Sequence, residues 1–270
     1  MTGGRLENKV ALVVGGGSGM GRAGAAAMAA ESATVVVSDV SLERAEAVAA
    51  SIDESGGTAA AMHVDVTSSE LVERLVAETV SRFGRVDALY HCAADVHFVN
   101  TSDRRLTELD DEVWDRMLDV HLTGTFRVMK HVGRQMVAQG SGSIIVSSTV
   151  DALVGCAGLD SYTAAKGGVT SMVRSFAAGV GRDGVRVNAI APSFVSTEPQ
   201  MVWLDDEQAR ATIASLHILP IPTPEQIAPF VVYLASDESA AVTGTVFPVD
   251  AGYMAFKAQL DVMGTMQAGY

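Results

Sequence analysis

Residues 10–22 read VALVVGGGSGMGR, an apolar β-branched run followed by a glycine turn and the start of a small-residue helix. Strand, glycine turn and helix in this order are the context that a dinucleotide-binding fingerprint needs. Gly15 permits the tight turn, and Gly19 and Gly21 let the backbone approach a pyrophosphate beside the helix N-terminus. Glycines that only form a turn are the alternative. The segment predicts a phosphate-binding turn whose cofactor residues are Gly15, Gly17, Ser18, Gly19, Met20 and Gly21.

Short β-branched runs alternate with helical stretches along the rest of the chain. The predicted strands are 10–14, 34–38, 59–64, 88–91, 143–147, 185–191 and 245–249. The predicted main helices are 21–31, 42–55, 69–83, 110–139, 161–181 and 224–235. Such alternation implies right-handed βαβ units and a parallel sheet covered by helices on both faces. The pattern predicts an α/β fold with one domain over residues 1–256 and a tail over 257–270.

Composition narrows the classes of function. The net charge of −13 disfavours a nucleic-acid groove or an anionic membrane surface as a partner. With only Cys92 and Cys156, and nothing before Val10 that resembles a signal peptide, the sequence predicts a reducing cytoplasm. No apolar run approaches the roughly 18 residues of a membrane span. No His, Cys and Asp cluster has the spacing of metal ligands, so no metal is predicted.

Acidic residues follow the second and third strands. Asp39 lies where a carboxylate accepts hydrogen bonds from the adenosine ribose hydroxyls and repels a 2′-phosphate. No Arg or Lys is adjacent to it, so the sequence favours NAD over NADP. Asp65, followed by Val66, is expected to contact the adenine edge, with a helix-capping role as the alternative.

Tyr162 and Lys166 are four residues apart, so on a helix they share one face. An ammonium beside a phenol favours the phenolate and lowers the tyrosine pKa from its ordinary value of about 10. A base works best when its pKa lies near the operating pH, so this pair predicts a tyrosine base. A packed Tyr beside a solvated Lys is the alternative.

Taken together, these motifs resemble the short-chain dehydrogenase/reductase family from Lys9 to about Tyr253. Further matching motifs are Asn188-Ala-Ile-Ala-Pro192 and Gly244 before Val249-Asp250-Ala251-Gly252. The resemblance implies a single-domain, Rossmann-type, doubly wound parallel sheet of about seven strands, and a homotetramer or homodimer. It also implies hydride transfer between a nicotinamide cofactor and an alcohol or carbonyl carbon.

The resemblance assigns roles to individual residues. It implies that Tyr162 takes the hydroxyl proton, while Lys166 lowers its pKa and holds the nicotinamide ribose. The hydroxyl that orients the substrate oxygen stands thirteen residues before the tyrosine, which is Thr149 here. Ser148 is the reserve, because side chains alternate along an extended segment and the two cannot both face the pocket.

Two stretches depart from the family pattern. His91-Cys92-Ala93-Ala94 stands where the family usually reads Asn-Asn-Ala-Gly, which keeps small residues against the cofactor and loses the amides. His121 stands where the family has an Asn that holds a water of the proton relay. Imidazole can donate and accept, so His121 is a candidate to carry the proton itself. A buried His satisfied by backbone groups is the alternative.

The long crossover at 193–219 is predicted to be a substrate loop, because long connections are often binding loops. Its apolar residues and single cation, Arg210, favour an uncharged, rather hydrophobic alcohol or ketone. Packing against the domain or a sister subunit is the alternative. The remaining predicted cofactor residues are Cys92, Ala93, Ala94, Tyr162, Pro192, Val195 and Thr197. The predicted substrate residues are His97, Thr149, Tyr162, Phe194 and Trp203.

These observations predict an NAD-dependent oxidoreductase acting on a secondary alcohol or its ketone. A catalytically silent NAD-sensing protein is one alternative, suggested by the unusual residues at positions 91, 92, 121 and 149. An acyl-carrier ketoreductase is another, but it would require NADPH and a basic docking patch. The tail 257–270 is predicted to cross a subunit interface, with a frayed terminus as the alternative.

Overall fold

A seven-stranded parallel sheet forms the centre of the computed structural model, which describes residues 3–255. The strands lie in the order β3-β2-β1-β4-β5-β6-β7. Their bounds are Val10–Val14 (β1), Thr34–Asp39 (β2), Thr58–His63 (β3), Ala88–His91 (β4), Gly142–Ser147 (β5), Val185–Pro192 (β6) and Val246–Val249 (β7). The predicted Rossmann-type, doubly wound α/β class is confirmed.

Ten α-helices connect and cover the strands within residues 3–255. They are Gly19–Ala30 (α1), Leu42–Glu54 (α2), Ser69–Phe83 (α3), Val96–Ser102 (α4), Asp111–Leu118 (α5), Gly124–Gln139 (α6), Asp160–Val180 (α7), Met201–Leu204 (α8), Glu207–Ser215 (α9) and Pro224–Ala235 (α10). Within the described residues, no helix is long and apolar enough to cross a membrane. The predicted tail at 257–270 lies outside the described residues.

Two apolar layers bury the sheet. On β1, Leu12 and Val14 pack into the layer that contains α3, α6 and α7, and Ala11 and Val13 pack into the layer with α1, α2 and α10. A strand buried on both faces is apolar along its whole length, which explains the continuous run at 10–14. The strand order reverses between β1 and β4, and in such sheets ligands bind at the carboxyl ends beside this switch point.

Apart from shifts of one or two residues at element ends, the structure differs from the predicted main elements in three places. The helix predicted over 110–139 is divided by a π-helical turn at Asp119–Thr123, centred on His121. A π-turn inserts one residue and leaves the apolar pattern on either side intact, so periodicity does not reveal it. Helix α4 was not predicted; Asp95 caps it by accepting from the Phe98 amide at 3.0 Å. The loop 193–219 is not irregular throughout, since it contains α8 and α9.

Candidate active site

The glycine turn lies between β1 and α1 in close contact with its surroundings. Gly15 has a φ of 82°, and a Cβ there would lie 2.5 Å from the Ala93 backbone. A Cβ on Gly21 would lie 2.0 Å from the Gly15 carbonyl oxygen. Only glycine fits at either position, so these two residues allow the turn to approach β4 and α1 to approach the turn.

Asp39 lies at the end of β2 and is 6% exposed, and both of its carboxylate oxygens accept hydrogen bonds. Its Oδ2 accepts from the Gly17 amide at 3.0 Å, and its Oδ1 accepts from the Ser41 amide at 2.9 Å. Arg44 donates to Oδ1 at 2.8 Å and remains about half exposed. Thus a cation does lie against Asp39. The sequence analysis considered only the residues adjacent to Asp39 and so did not identify Arg44, which lies in the first turn of α2.

Glu198 of the loop 193–219 occupies the N-terminus of α1. Its Oε2 accepts from the Gly19 amide at 3.1 Å, and its Oε1 pairs with Arg22 at 2.6 Å. A helix N-terminus favours an anion through its free amides and dipole, so the carboxylate lies where a phosphate would also be stabilised. Sequence reasoning missed Glu198, although its neighbour Thr197 was predicted to bind the cofactor.

One cavity of about 980 Å³ brings most of the predicted residues together. Gly17, Gly21 and His121 do not line it. The predicted cofactor residues that line it are Gly15, Ser18, Gly19, Met20, Asp39, Asp65, Val66, Cys92, Ala93, Ala94, Pro192, Val195 and Thr197. At the other end, it is lined by His97, Ser148, Thr149, Tyr162, Lys166, Phe194 and Trp203. Lining residues that were not predicted include Asp103, Asp151, Cys156, His217 and Tyr253.

The cavity has the features that a dinucleotide requires. Its lining includes Asp39 at the end of β2 and Lys166 on α7. Gly15 and Gly21 leave no room for a Cβ, and at Gly19 a phosphate would take the place of the Glu198 carboxylate on the backbone amide. These residues fit a nicotinamide dinucleotide.

Lys166 and Tyr162 lie side by side on α7, as predicted. The Lys166 Nζ is 5.8 Å from the Tyr162 ring centroid and donates to the Ser147 carbonyl at 2.8 Å. Burial lowers the pKa of Lys166 to about 8. Burial also raises the pKa of Tyr162 well above its usual value, and the negative charges of Asp151 and Cys92 add to this. The direction for Tyr162 is opposite to the expected lowering, because helical spacing predicts proximity but not desolvation.

The N-terminus of α7 is held by Asp103, which is 5% exposed. Its Oδ1 accepts from the Ser161 hydroxyl at 2.8 Å and from the Ser161 amide at 3.2 Å, and its Oδ2 accepts from the Tyr162 amide at 2.9 Å. These are the donors that a helix N-terminus leaves unsatisfied. Asp103 therefore fixes the backbone of the predicted base, from a position 59 residues earlier that no local pattern marks.

The two candidate hydroxyls after β5 point to different partners. The Ser148 hydroxyl donates to the Lys166 carbonyl at 3.4 Å. The Thr149 hydroxyl donates to Asp151 Oδ2 at 3.0 Å and accepts from the Asp151 amide at 3.2 Å. Both residues line the cavity, but only Ser148 is directed to the α7 backbone. This divergence agrees with the alternation expected of an extended segment.

His121 lies behind Tyr162, fully buried in the π-turn. The two rings meet edge to face, with centroids 5.2 Å apart. Within residues 3–255, no group hydrogen-bonds either ring nitrogen of His121. The alternative of a buried His whose nitrogens bond to backbone groups is therefore not supported by the described residues. Burial, followed by the charges of Lys166 and His91, lowers the pKa of His121 well below 6.5. The imidazole is therefore neutral.

Comparison with known proteins agrees with this geometry. The family model described as Enoyl-(Acyl carrier protein) reductase matches residues 15–254. Short-chain reductase protein NovJ of Streptomyces niveus is 40% identical over 252 residues, which cover 91% of this chain and 94% of that protein. The 3-alpha-(or 20-beta)-hydroxysteroid dehydrogenase of Mycobacterium bovis is 38% identical over 258 residues, with 96% and 94% covered.

The fold of this chain also matches that of a solved crystal structure. That of levodione reductase matches with a TM-score of 0.85 at 32% identity, covering 93% of this chain and 100% of the other. Fold, motifs and relatives agree over nearly the full length of the chain. The chain belongs to the short-chain dehydrogenase/reductase family, whose members are oxidoreductases that use nicotinamide cofactors.

Proposed function

We propose that this oxidoreductase uses NAD to interconvert a secondary alcohol and its ketone. The observation that carries the proposal is that Tyr162, Lys166 and Thr149 share one cavity with the glycine turn. A nicotinamide cofactor held along the glycine turn and beside Lys166 would supply the acceptor for the hydride that leaves the alcohol carbon as the ketone forms. A cytoplasmic location and a homotetramer or homodimer remain predictions.

The chain's own residues handle the proton and the substrate oxygen in this proposal. Tyr162 accepts the hydroxyl proton, and Thr149 donates a hydrogen bond to the substrate oxygen once its single proton turns away from Asp151 Oδ2. Lys166 supplies positive charge beside the phenol, which opposes the burial that raises the pKa of Tyr162. The Ser147 carbonyl fixes the ammonium, so the charge is held in place before the reaction begins.

The residues that line the substrate end of the cavity favour an uncharged molecule with a large apolar part. Phe194 and Trp203 line this end of the cavity, and Trp203 remains 44% exposed. The related proteins named for a hydroxysteroid and for levodione suggest cyclic alcohols and ketones. We therefore propose a cyclic secondary alcohol as the substrate framework.

The proposed function is tested by initial rates of NADH formation with cyclic, aromatic, terpenoid, steroid and polyol alcohols, with NADP in parallel. Reduction of an acyl-thioester ketone with NADPH is measured as well. We expect turnover of cyclic secondary alcohols with NAD. NAD binding without turnover would support the sensing alternative, and efficient thioester reduction with NADPH would support the acyl-carrier ketoreductase.

Cofactor choice is expected to depend on the ion pair between Asp39 and Arg44. In the Asp39→Ser variant, Arg44 loses its carboxylate partner and becomes available to a 2′-phosphate, which guanidinium groups bind well. We expect kcat/KM for NADP to rise by about tenfold or more, and that for NAD to fall.

The matched control is Asp39→Ser combined with Arg44→Ala. It removes the same carboxylate without leaving a cation, so the gain with NADP should vanish while the loss with NAD persists. Equal rates with NADP in the two variants would contradict a role for Arg44.

We also propose that His121 relays the proton behind Tyr162. Because its pKa is lowered, the imidazole is neutral throughout the physiological range and offers one donor and one acceptor. His121→Phe keeps an aromatic ring but lacks both groups, so we expect kcat to fall by about 10²-fold, as for other proton-transfer groups. His121→Asn, which retains a donor and an acceptor, should keep most of the rate. A solvent deuterium isotope effect on kcat that is identical in wild type and His121→Phe would argue against the relay.

A further inference from the structure

Asp151 lies directly beside the hydroxyl proposed to orient the reacting oxygen. It occupies the 3-10 turn Val150–Ala152, which follows Thr149. Its Oδ2 accepts from the Thr149 hydroxyl at 3.0 Å, and its own amide donates back to that hydroxyl at 3.2 Å. The carboxylate is thus fixed within one hydrogen bond of the substrate-orienting group.

The carboxylate faces the substrate end of the cavity. Asp151 lines the cavity together with Tyr162, Cys156 and Tyr253, and its charge raises the pKa of all three. Within residues 3–255, none of the ion pairs includes Asp151. It is therefore a partly buried carboxylate among neutral donors.

Such a carboxylate has acceptor capacity that the protein leaves unused. A carboxylate has about four lone-pair sites, and among the described residues Thr149 supplies the one side-chain donor. A partly desolvated acceptor is stabilised by a further donor and destabilised when an apolar group displaces its water. A substrate with a hydrogen-bond donor next to the Asp151 carboxylate is therefore favoured over one with a hydrocarbon group there.

We infer that Asp151 selects alcohols that carry a second hydroxyl on the carbon next to the reacting one. The inference rests on the proposed function, because it takes Thr149 as the contact of the reacting oxygen. Thr149 Oγ1 and Asp151 Oδ2 are 3.0 Å apart, close to the separation of two neighbouring hydroxyl oxygens. A hydroxyl is favoured over an ammonium because the buried Lys166 lines the same cavity and repels cations.

The test compares two substrates that differ by one hydroxyl, trans-1,2-cyclohexanediol and cyclohexanol. In wild type, we expect kcat/KM for the diol to exceed that for cyclohexanol by about tenfold, the effect of one hydrogen bond to a charged group. Asp151→Leu should abolish or reverse this preference. Asp151→Asn, which retains an acceptor oxygen, should preserve part of it. An unchanged ratio in Asp151→Leu overturns the inference.

A binding measurement separates this inference from the proposed function. Both alcohols, and trans-2-aminocyclohexanol, are titrated calorimetrically into each variant with and without NADH, and melting temperatures confirm that the variants fold. Diol binding that is tighter than cyclohexanol binding and is lost in Asp151→Leu supports the inference even if no variant turns over. Tightest binding of the amino alcohol in wild type, lost in Asp151→Asn, overturns the hydroxyl assignment. Equal binding of all three overturns it as well.

Discussion

Replacing Tyr162 with Phe is expected to lower kcat by about 10²- to 10⁴-fold, the usual contribution of a general base. The substitution removes only the phenolic oxygen. The ring keeps its edge-to-face contact with His121, and Asp103 still holds the backbone amide at 2.9 Å. The cofactor end of the cavity is unchanged, so the dissociation constant for NAD should change little.

Tyr253→Phe is the matched control, because Tyr253 also lines the cavity and also loses one phenolic hydroxyl. Tyr253 packs against His217 and has no described contact with Lys166, so only a small loss is expected. The rates are measured from NADH absorbance, and cofactor binding is measured from the fluorescence of NADH. A Tyr162→Phe enzyme that retained more than about a tenth of the wild-type rate would show that another group takes the proton.

Lys166→Met is expected to abolish activity and to raise the free energy of unfolding at pH 7. The ammonium is 3% exposed, and burial lowers its pKa to about 8, from 10.5 in the unfolded chain. Below pH 8 both states are protonated, and the cost of burying the charge is present in full. Between pH 8 and about 10.5 the unfolded state binds more protons, so wild-type stability rises with pH by up to about 3 kcal/mol. Methionine removes this cost at every pH.

Part of the gain at pH 7 is lost because the Ser147 carbonyl gives up its donor, at a cost of about 1–2 kcal/mol. Urea denaturation at pH 7 and pH 9.5 measures both effects. The control is Lys130→Met, a lysine on α6 whose ammonium lies near the Phe126 ring, and it should not remove the rise with pH. If Lys166→Met were less stable than wild type at pH 7, or the wild-type stability were independent of pH, the assigned cost of burial would be wrong.

The strands and the cofactor turn could be predicted because their signals are local. The run at 10–14 and the glycines after it specify strand, turn and helix within thirteen residues. The same reasoning placed Tyr162 beside Lys166, since helical geometry alone brings them together.

The missed features depend on distant or collective contacts. Asp103 is 58 residues from Ser161, and Glu198 is 179 residues from Gly19, so no spacing rule connects them. The raised pKa of Tyr162 reflects desolvation by the whole domain, which a pair of neighbouring residues does not reveal. The π-turn around His121 was not predicted, because the helices on either side of the inserted residue each keep a helical apolar pattern.

The position of Glu198 has a thermodynamic consequence for the proposed NAD site. A phosphate oxygen and Glu198 Oε2 cannot both take the Gly19 amide hydrogen, and Arg22 is shared between them in the same way. In the proposed complex, cofactor binding would therefore displace a carboxylate of the loop that is predicted to contact the substrate. Linkage is reciprocal, so a substrate that draws this loop away from α1 must tighten cofactor binding by the same factor by which the cofactor tightens substrate binding. For such a substrate the two ligands would bind cooperatively, and the Glu198 carboxylate would carry part of the coupling.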